Sequence, residues 1–376
     1  MTKKAAPIPT RHVLWFSWKL VTFFCIAFSL VALFRLHSQY DISSSVISRS
    51  RSRIRYDSFD GPPKIAFLFL ARRDLPLDFL WGSFFENVDA AKFSIYIHSA
   101  PGFVFGESTT RSKFFYDRQL SNSIQVAWGE SSMIAAERLL LDVALEDPAN
   151  RRFVLLSDSC VPLYNFSYIY NYLMASPRSF VDSFLDGKEG RYNPKMSPII
   201  PKGKWRKGSQ WISLIRRHAE VIVDDEVIFP VFKKFCKRRP PLDARKGKMN
   251  IKLQKQHNCI PDEHYVPTLL AMSGLEGEIE RRTLTYTQWN QSAGENQNWH
   301  PHTFSYTNAA PQQIKEIKSI NHVYYETEFR TEWCRANSTS VPCFLFARKF
   351  SRGAAMRLLS EGVVGPFDVS ELLDTS

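Results

Sequence analysis

Three short segments concentrate side chains that could do chemistry. Pro261-Asp262-Glu263-His264-Tyr265 sets a proline and two carboxylates ahead of an apolar run, VPTLLAM. Proline at the first helical position with acids beside it starts a helix well, and the acids complement its dipole. Asp262 and Glu263 either do that alone or are available for proton transfer. Lys204-Trp205-Arg206-Lys207-Gly208-Ser209-Gln210-Trp211 places cations and two indoles around a glycine. Indole faces stack on sugars or cations, and equally fill cores. Cys343-Phe344-Leu345-Phe346-Ala347-Arg348-Lys349-Phe350 puts two cations after a buried-strand pattern. Cations at a strand end can hold a diphosphate, or simply cap the strand in solvent.

Several signatures are missing. There is no G-x-x-x-x-G-K-[ST], G-x-G-x-x-G after a strand, H-E-x-x-H, G-x-S-x-G or C-x-x-C. D-x-D, the usual metal-binding element of nucleotide-sugar transferases, is also absent. Asp224-Asp225-Glu226 and Asp57…Asp60 have the wrong spacing and read as surface charge.

The elements that must position these segments are legible in the first half of the chain. Lys64–Ala71 (KIAFLFLA) is a continuous apolar run, the pattern of a strand buried on both faces. Leu75–Phe85 reads as a helix and Phe93–His98 as a second strand. Ser123–Trp128 reads as a third strand, followed by a helix over Ile134–Asp147. Phe153–Ser157 reads as a fourth strand, with a helix over Phe166–Met174. Strands alternating with helices predict an α/β fold with a mostly parallel sheet. Ligands of such sheets bind beyond the strands' carboxyl ends. Those ends are Arg72-Arg73-Asp74, His98-Ser99, Trp128-Gly129-Glu130 and Asp158-Ser159.

The chain has 376 residues and is 44% hydrophobic and 23% charged, which excludes wholesale disorder, a collagen-like repeat and a coiled-coil rod. Half of its formal charge of +12 sits in the first 62 residues. Residues 13–34 are apolar apart from Lys19, which can snorkel to the interface, so the stretch reaches the roughly 20 residues that span a bilayer. No small-x-small cleavage site follows. We therefore expect a cytoplasmic tail over 1–12, a signal anchor over 13–34, a Ser/Arg-rich stem over 35–62 and a translocated globular domain over 63–376. Sequons at Asn165, Asn290 and Asn337 agree with translocation. Of the five cysteines beyond the anchor, proximity pairs Cys334 with Cys343 and Cys236 with Cys259, leaving Cys160. The basic stretch Lys233–Lys248 reads as nucleic-acid binding or as a solvated loop pinned by Cys236. The anchor and sequons favour the loop, and no nucleic-acid partner is expected.

Together the motifs resemble the Core-2/I-branching β-1,6-N-acetylglucosaminyltransferase family, most closely its plant, brittle-culm-type branch. The resemblance runs from about Lys64 to Leu359. It rests on A-W-G-E-S-S-M (127–133), L-S-D-S-C-V-P-L (156–163), K-W-x-K-G-S (204–209), P-D-E-H-Y (261–265) and F-L-F-A-R-K-F (344–350), in family order. It implies a single-pass type II Golgi membrane protein with a GT-A-like domain. It further implies inverting transfer of N-acetylglucosamine or another UDP-linked sugar to a glycan or glycoprotein, without a metal or other cofactor.

By the family motifs Glu263 is the catalytic base and Lys349, with Arg348 beside it, the diphosphate site. His98 matches a family histidine near the nucleotide, although Ser99-Ala100-Pro101 stands where an acid usually follows. Asp158 falls where a uridine or ribose contact is expected. Trp289 resembles an acceptor-side tryptophan, and Trp205 is a second candidate there. Arg330 and Arg335 are both candidates for a further phosphate-binding arginine. A catalytically inactive lectin or scaffold of the same fold is the alternative.

Overall fold

The computed structural model describes residues 18–33, 59–187, 190–238, 258–289, 301–336 and 339–363. The chain divides into residues 1–49 and 50–376. In the first unit residues 18–33 are helical and solvent-exposed. No helix among the described residues is long and apolar enough to cross a membrane. The tail, residues 13–17 and 34 of the expected anchor, and the stem through Ser58 lie outside the described residues.

The second unit is built on a six-stranded sheet. Its strands are β1 (Lys64–Leu70), β2 (Phe93–His98), β3 (Asn150–Ser157), β5 (Ser179–Phe180), β6 (Ser213–Ile215) and β7 (Ile279–Glu280), in spatial order β2-β1-β3-β6-β5-β7. β1 pairs in parallel with β2 and β3 on its two sides, which explains why it is apolar at every position after Lys64. Phe67 and Phe69 pack on Trp81, and Phe67 also packs on Phe84 and Phe85, all from helix α1 (Asp78–Phe85). On the other face Leu68 meets Leu141 of α2 (Ser132–Leu145). β6 runs antiparallel to both β3 and β5, while β5 and β7 pair in parallel, so the sheet is mostly parallel as expected, with β6 alone reversed.

A second sheet carries the C-terminal motif. β13 (Phe346–Arg348) lies between β4 (Val161–Pro162, antiparallel) and β8 (Thr285–Thr287, parallel). Two hairpins complete the strands, β9 (His322–Tyr325) with β10 (Arg330–Trp333) and β11 (Arg335–Ala336) with β12 (Thr339–Ser340). The remaining helices are α3 (Phe166–Ala175), α4 (Arg216–Asp224), α5 (Ile228–Phe235), α6 (Pro261–Met272), α7 (Pro311–Lys318) and α8 (Arg352–Ser360).

One expected strand does not form. Residues 123–128 have no ladder partner, because β2 is the sheet edge and Ile97 bridges instead to Gln119. Their alternating pattern serves a wall of the cavity described below. The two cysteine pairs are disulfide-bonded as spacing suggested, Cys236–Cys259 and Cys334–Cys343, and Cys160 is free and buried. Asn165 caps α3, its side chain accepting from the Tyr168 N–H at 2.8 Å. Asn290, Asn337 and residues 239–248 of the basic stretch lie outside the described residues, and Lys233 and Lys234 belong to the last turn of α5.

Candidate active site

A cavity of about 1100 Å3 opens beyond the carboxyl ends of β1, β2 and β3. The strand ends put Arg72, His98 and Asp158 on its wall, β13 adds Arg348 and Lys349, and α6 adds Asp262 and Glu263. Trp128 and Trp289 also line it.

At one end three cations gather around a single acid. Arg72 Nε lies 3.0 Å from Asp158 Oδ2, but its side chain is 91% exposed, so the pair holds it weakly. The Lys349 backbone is fixed between strands: its carbonyl accepts from the Phe304 N–H at 2.8 Å, and the next amide, of Phe350, donates to the Ser159 carbonyl at 3.0 Å. The Arg348 guanidinium lies 4.3 Å from the centre of the Trp211 indole, and its buried Nε has no hydrogen-bond partner. Burial lowers the pKa of both residues; for Lys349 the neighbouring charges of Arg348 and Arg72 lower it further. Three cations held together against their mutual repulsion make an anion site.

His98, buried at the end of β2, accepts from the Ile124 N–H through Nε2 at 3.1 Å, so Nδ1 carries the ring proton. Burial lowers its pKa, keeping it neutral at pH 7.

Glu263 stands in the first turn of α6. Its Oε2 is 3.5 Å from both Lys207 Nζ and Arg191 Nη1, and its side chain is 24% exposed. Asp262 beside it is 6% exposed, with Oδ1 unpartnered. Burial first, then the charge of Glu263, raises its pKa from 3.8 to about 7. Glu137 of α2 is raised too, by burial and then by Asp262, and accepts from Gln210 Nε2 at 2.8 Å. Asp182, half-buried on the wall, is pushed up to about 6 by desolvation, although it accepts from the Tyr325 hydroxyl at 2.5 Å.

Two expected site residues stand elsewhere. Trp205 does not line the cavity; it is buried, stacked 4.4 Å from His264 and 5.6 Å from Phe232, with its indole N–H 3.3 Å from Asp186 Oδ2. It supports α6 from behind. Arg330 does not line the cavity either. Glu328 and Glu332 take its charge, and it packs over the Tyr325 ring at 4.1 Å. Arg335, the other candidate, is exposed on β11 and lies outside the cavity lining too. Arg72 is the additional arginine at the anion end, and its position after β1 was the available signal. Nothing in the sequence marked Arg191, Asp182 or Glu137.

The profile of the Core-2/I-Branching enzyme family matches residues 65–318, the span that builds the sheet and α6. The chain belongs to the Core-2/I-branching enzyme family. It is also 56% identical over 310 residues to Glycosyltransferase BC10 of Oryza sativa subsp. japonica, covering 81% of this chain and 78% of that protein. The chain is thus a glycosyltransferase, and its α/β fold with a mostly parallel central sheet suits a GT-A-like enzyme. In this transferase the Glu263 carboxylate and a cationic cluster line one cavity.

Proposed function

We propose that this glycosyltransferase moves a sugar, N-acetylglucosamine or another UDP-linked sugar, from a UDP-sugar to a glycan hydroxyl with inversion and without a metal ion. The observation that carries the reading is the cluster of Arg72, Arg348 and Lys349 around one acid, in the same cavity as Glu263. The UDP diphosphate lies against the cations. An acceptor hydroxyl attacks the anomeric carbon from the opposite face while Glu263 takes its proton. The new bond joins the acceptor oxygen to the anomeric carbon. The bond to the phosphate oxygen breaks, and Lys349 and Arg348 stabilise the departing charge where a metal would otherwise sit. Trp289, 49% exposed on the wall, offers a stacking face to the acceptor. The two disulfides, the sequon at Asn165 and the apolar residues 13–34 support a single-pass type II protein of the Golgi membrane.

The test is calorimetric titration with UDP in excess EDTA, followed by a screen of UDP-sugars. Micromolar binding that survives EDTA, with Glu263→Gln retaining UDP binding and losing transfer, is the expected result. Binding that needs a divalent ion would refute metal independence. Full turnover by Glu263→Gln would refute the assigned base. Glycan binding by a folded protein with no affinity for UDP would mean a lectin of the same fold.

A further inference from the structure

Pro267 lies in the middle of α6, one turn beyond Glu263. In a regular helix the N–H of residue 267 would donate to the carbonyl of residue 263. Proline has no N–H, and its ring pushes against that carbonyl. The Glu263 carbonyl is therefore left without its helical partner. It accepts instead from the Gly208 N–H, at 2.8 Å.

The segment that supplies this donor is itself fixed. Lys207 exchanges both backbone hydrogen bonds with Phe184, each 2.8 Å. Arg206 runs along the same helix: its carbonyl accepts from His264 Nδ1 at 2.8 Å, and its N–H donates to Thr268 Oγ1 at 3.1 Å. Gly208 has no room for a side chain, since a Cβ there would lie 1.8 Å from the Asp182 carbonyl oxygen. The neighbouring Lys207 places its ammonium 3.5 Å from the Glu263 carboxylate. One dipeptide thus grips Glu263 twice, at the main chain and at the side chain.

We propose that Pro267 is a positioning residue: by withholding an N–H it gives the Glu263 carbonyl to Gly208, so that Lys207-Gly208 sets the placement of the base. The proposal rests on Glu263 being the base. It explains why the least favourable helix residue sits in the interior of a short, buried helix, and why the K-W-x-K-G-S and P-D-E segments occur together.

The test is Pro267→Ala in the full chain purified in detergent, since alanine restores the N–H and suits the helix. Four readouts are needed: melting temperature, UDP affinity, kcat with the donor found in the UDP-sugar screen, and hydrogen exchange of the Gly208 amide. We expect a rise of about 2–5 °C in Tm, UDP affinity within about twofold, kcat at least about tenfold lower, and faster exchange at Gly208. Stability and turnover moving in opposite directions is a result that a purely structural proline would not give. Gly277→Ala, whose added Cβ meets nothing, is the control for stabilisation without loss of turnover. A raised Tm with unchanged kcat, a lowered Tm, or unaltered Gly208 exchange would each overturn the proposal. If the wild-type chain binds no UDP and transfers no sugar, the functional reading fails. The Tm and exchange measurements then still decide whether Pro267 hands the carbonyl to Gly208.

Discussion

Asp262→Asn should stabilise the protein at pH 8 and change it little near pH 4. In the folded chain the Asp262 carboxyl titrates at about 7 rather than 3.8, because burial and then the charge of Glu263 oppose its ionisation. Between those two values the folded protein holds a proton that the unfolded chain has released. Stability therefore falls as pH rises through this window and is lowest above it. A shift of about three units corresponds to roughly 4 kcal/mol at full effect. Asparagine removes the charge, and its buried amide replaces a carboxyl that is equally buried and neutral below the window, so the two desolvation costs largely cancel. The expected gain at pH 8 is thus about 4 kcal/mol, vanishing toward pH 4. Guanidinium denaturation of wild type and variant at pH 4.5, 6 and 8 measures it. Glu137, raised by burial and by Asp262, adds a slope of the same sign. Glu137→Gln should therefore flatten the profile as well, and less than additively with Asp262→Asn. An equal stability difference at all three pH values would refute the electrostatic account.

Lys349→Ala should weaken UDP binding about 10- to 100-fold, the worth of one charge-assisted contact. Unchanged affinity by calorimetry would move the phosphate site elsewhere. UDP affinity of the wild type should fall as pH rises through the Lys349 pKa, which burial and its cationic neighbours hold below 10.5; Lys349→Arg should flatten that fall. Trp289→Ala should raise the acceptor KM while leaving denaturation within about 0.5 kcal/mol of wild type. Trp205→Ala, by contrast, should cost about 3–5 kcal/mol through lost packing on His264 and Phe232. If the two tryptophans showed the reverse pattern, the division between wall and core would be wrong.

The first half of the fold was legible because its signals are local. A strand flanked on both sides is apolar along its length, as β1 is after Lys64, and the helices follow at helical spacing. Ser123–Trp128 misled because a short run rich in β-formers can line a cavity wall, as Ile124, Gln125, Val126 and Trp128 do, as readily as it joins a sheet. β5 to β8 are two or three residues long, too short for any period to declare itself. Among the candidate site residues, Glu263, Arg348 and Lys349 were named through the family motifs, and a helix start and a strand end carry them to the cavity wall. Trp205 misled because an indole looks the same whether it faces a sugar or a histidine. The ion pair that draws Arg330 away was equally hidden, since Glu328 and Glu332 are ordinary acids in the sequence and only the hairpin aligns them with it.

The cavity carries cations in two places, and what faces them decides their roles. Lys207 and Arg191 share the carboxylate of Glu263, and Lys207 also lies near the half-buried Asp182. Their charge is met by protein acids before any substrate arrives, so they hold the Glu263 carboxylate. Arg72, Arg348 and Lys349 face Asp158, with Asp262 half-neutral near pH 7. Their charge is only partly met, and the pKa of Lys349, lowered first by burial, is lowered further by Arg348 and Arg72. A dianionic leaving group fits the second cluster and would only compete with Glu263 at the first. Under the proposed function the donor would enter with its phosphates toward β13, which would leave the Glu263 side of the cavity, with Tyr325 on Asp182, for the acceptor. Double-mutant cycles should follow the same division. Lys349 and Arg348 should couple through UDP affinity, Lys207 and Glu263 through kcat, and a cross-pair such as Lys349 with Lys207 should be additive within about 0.5 kcal/mol.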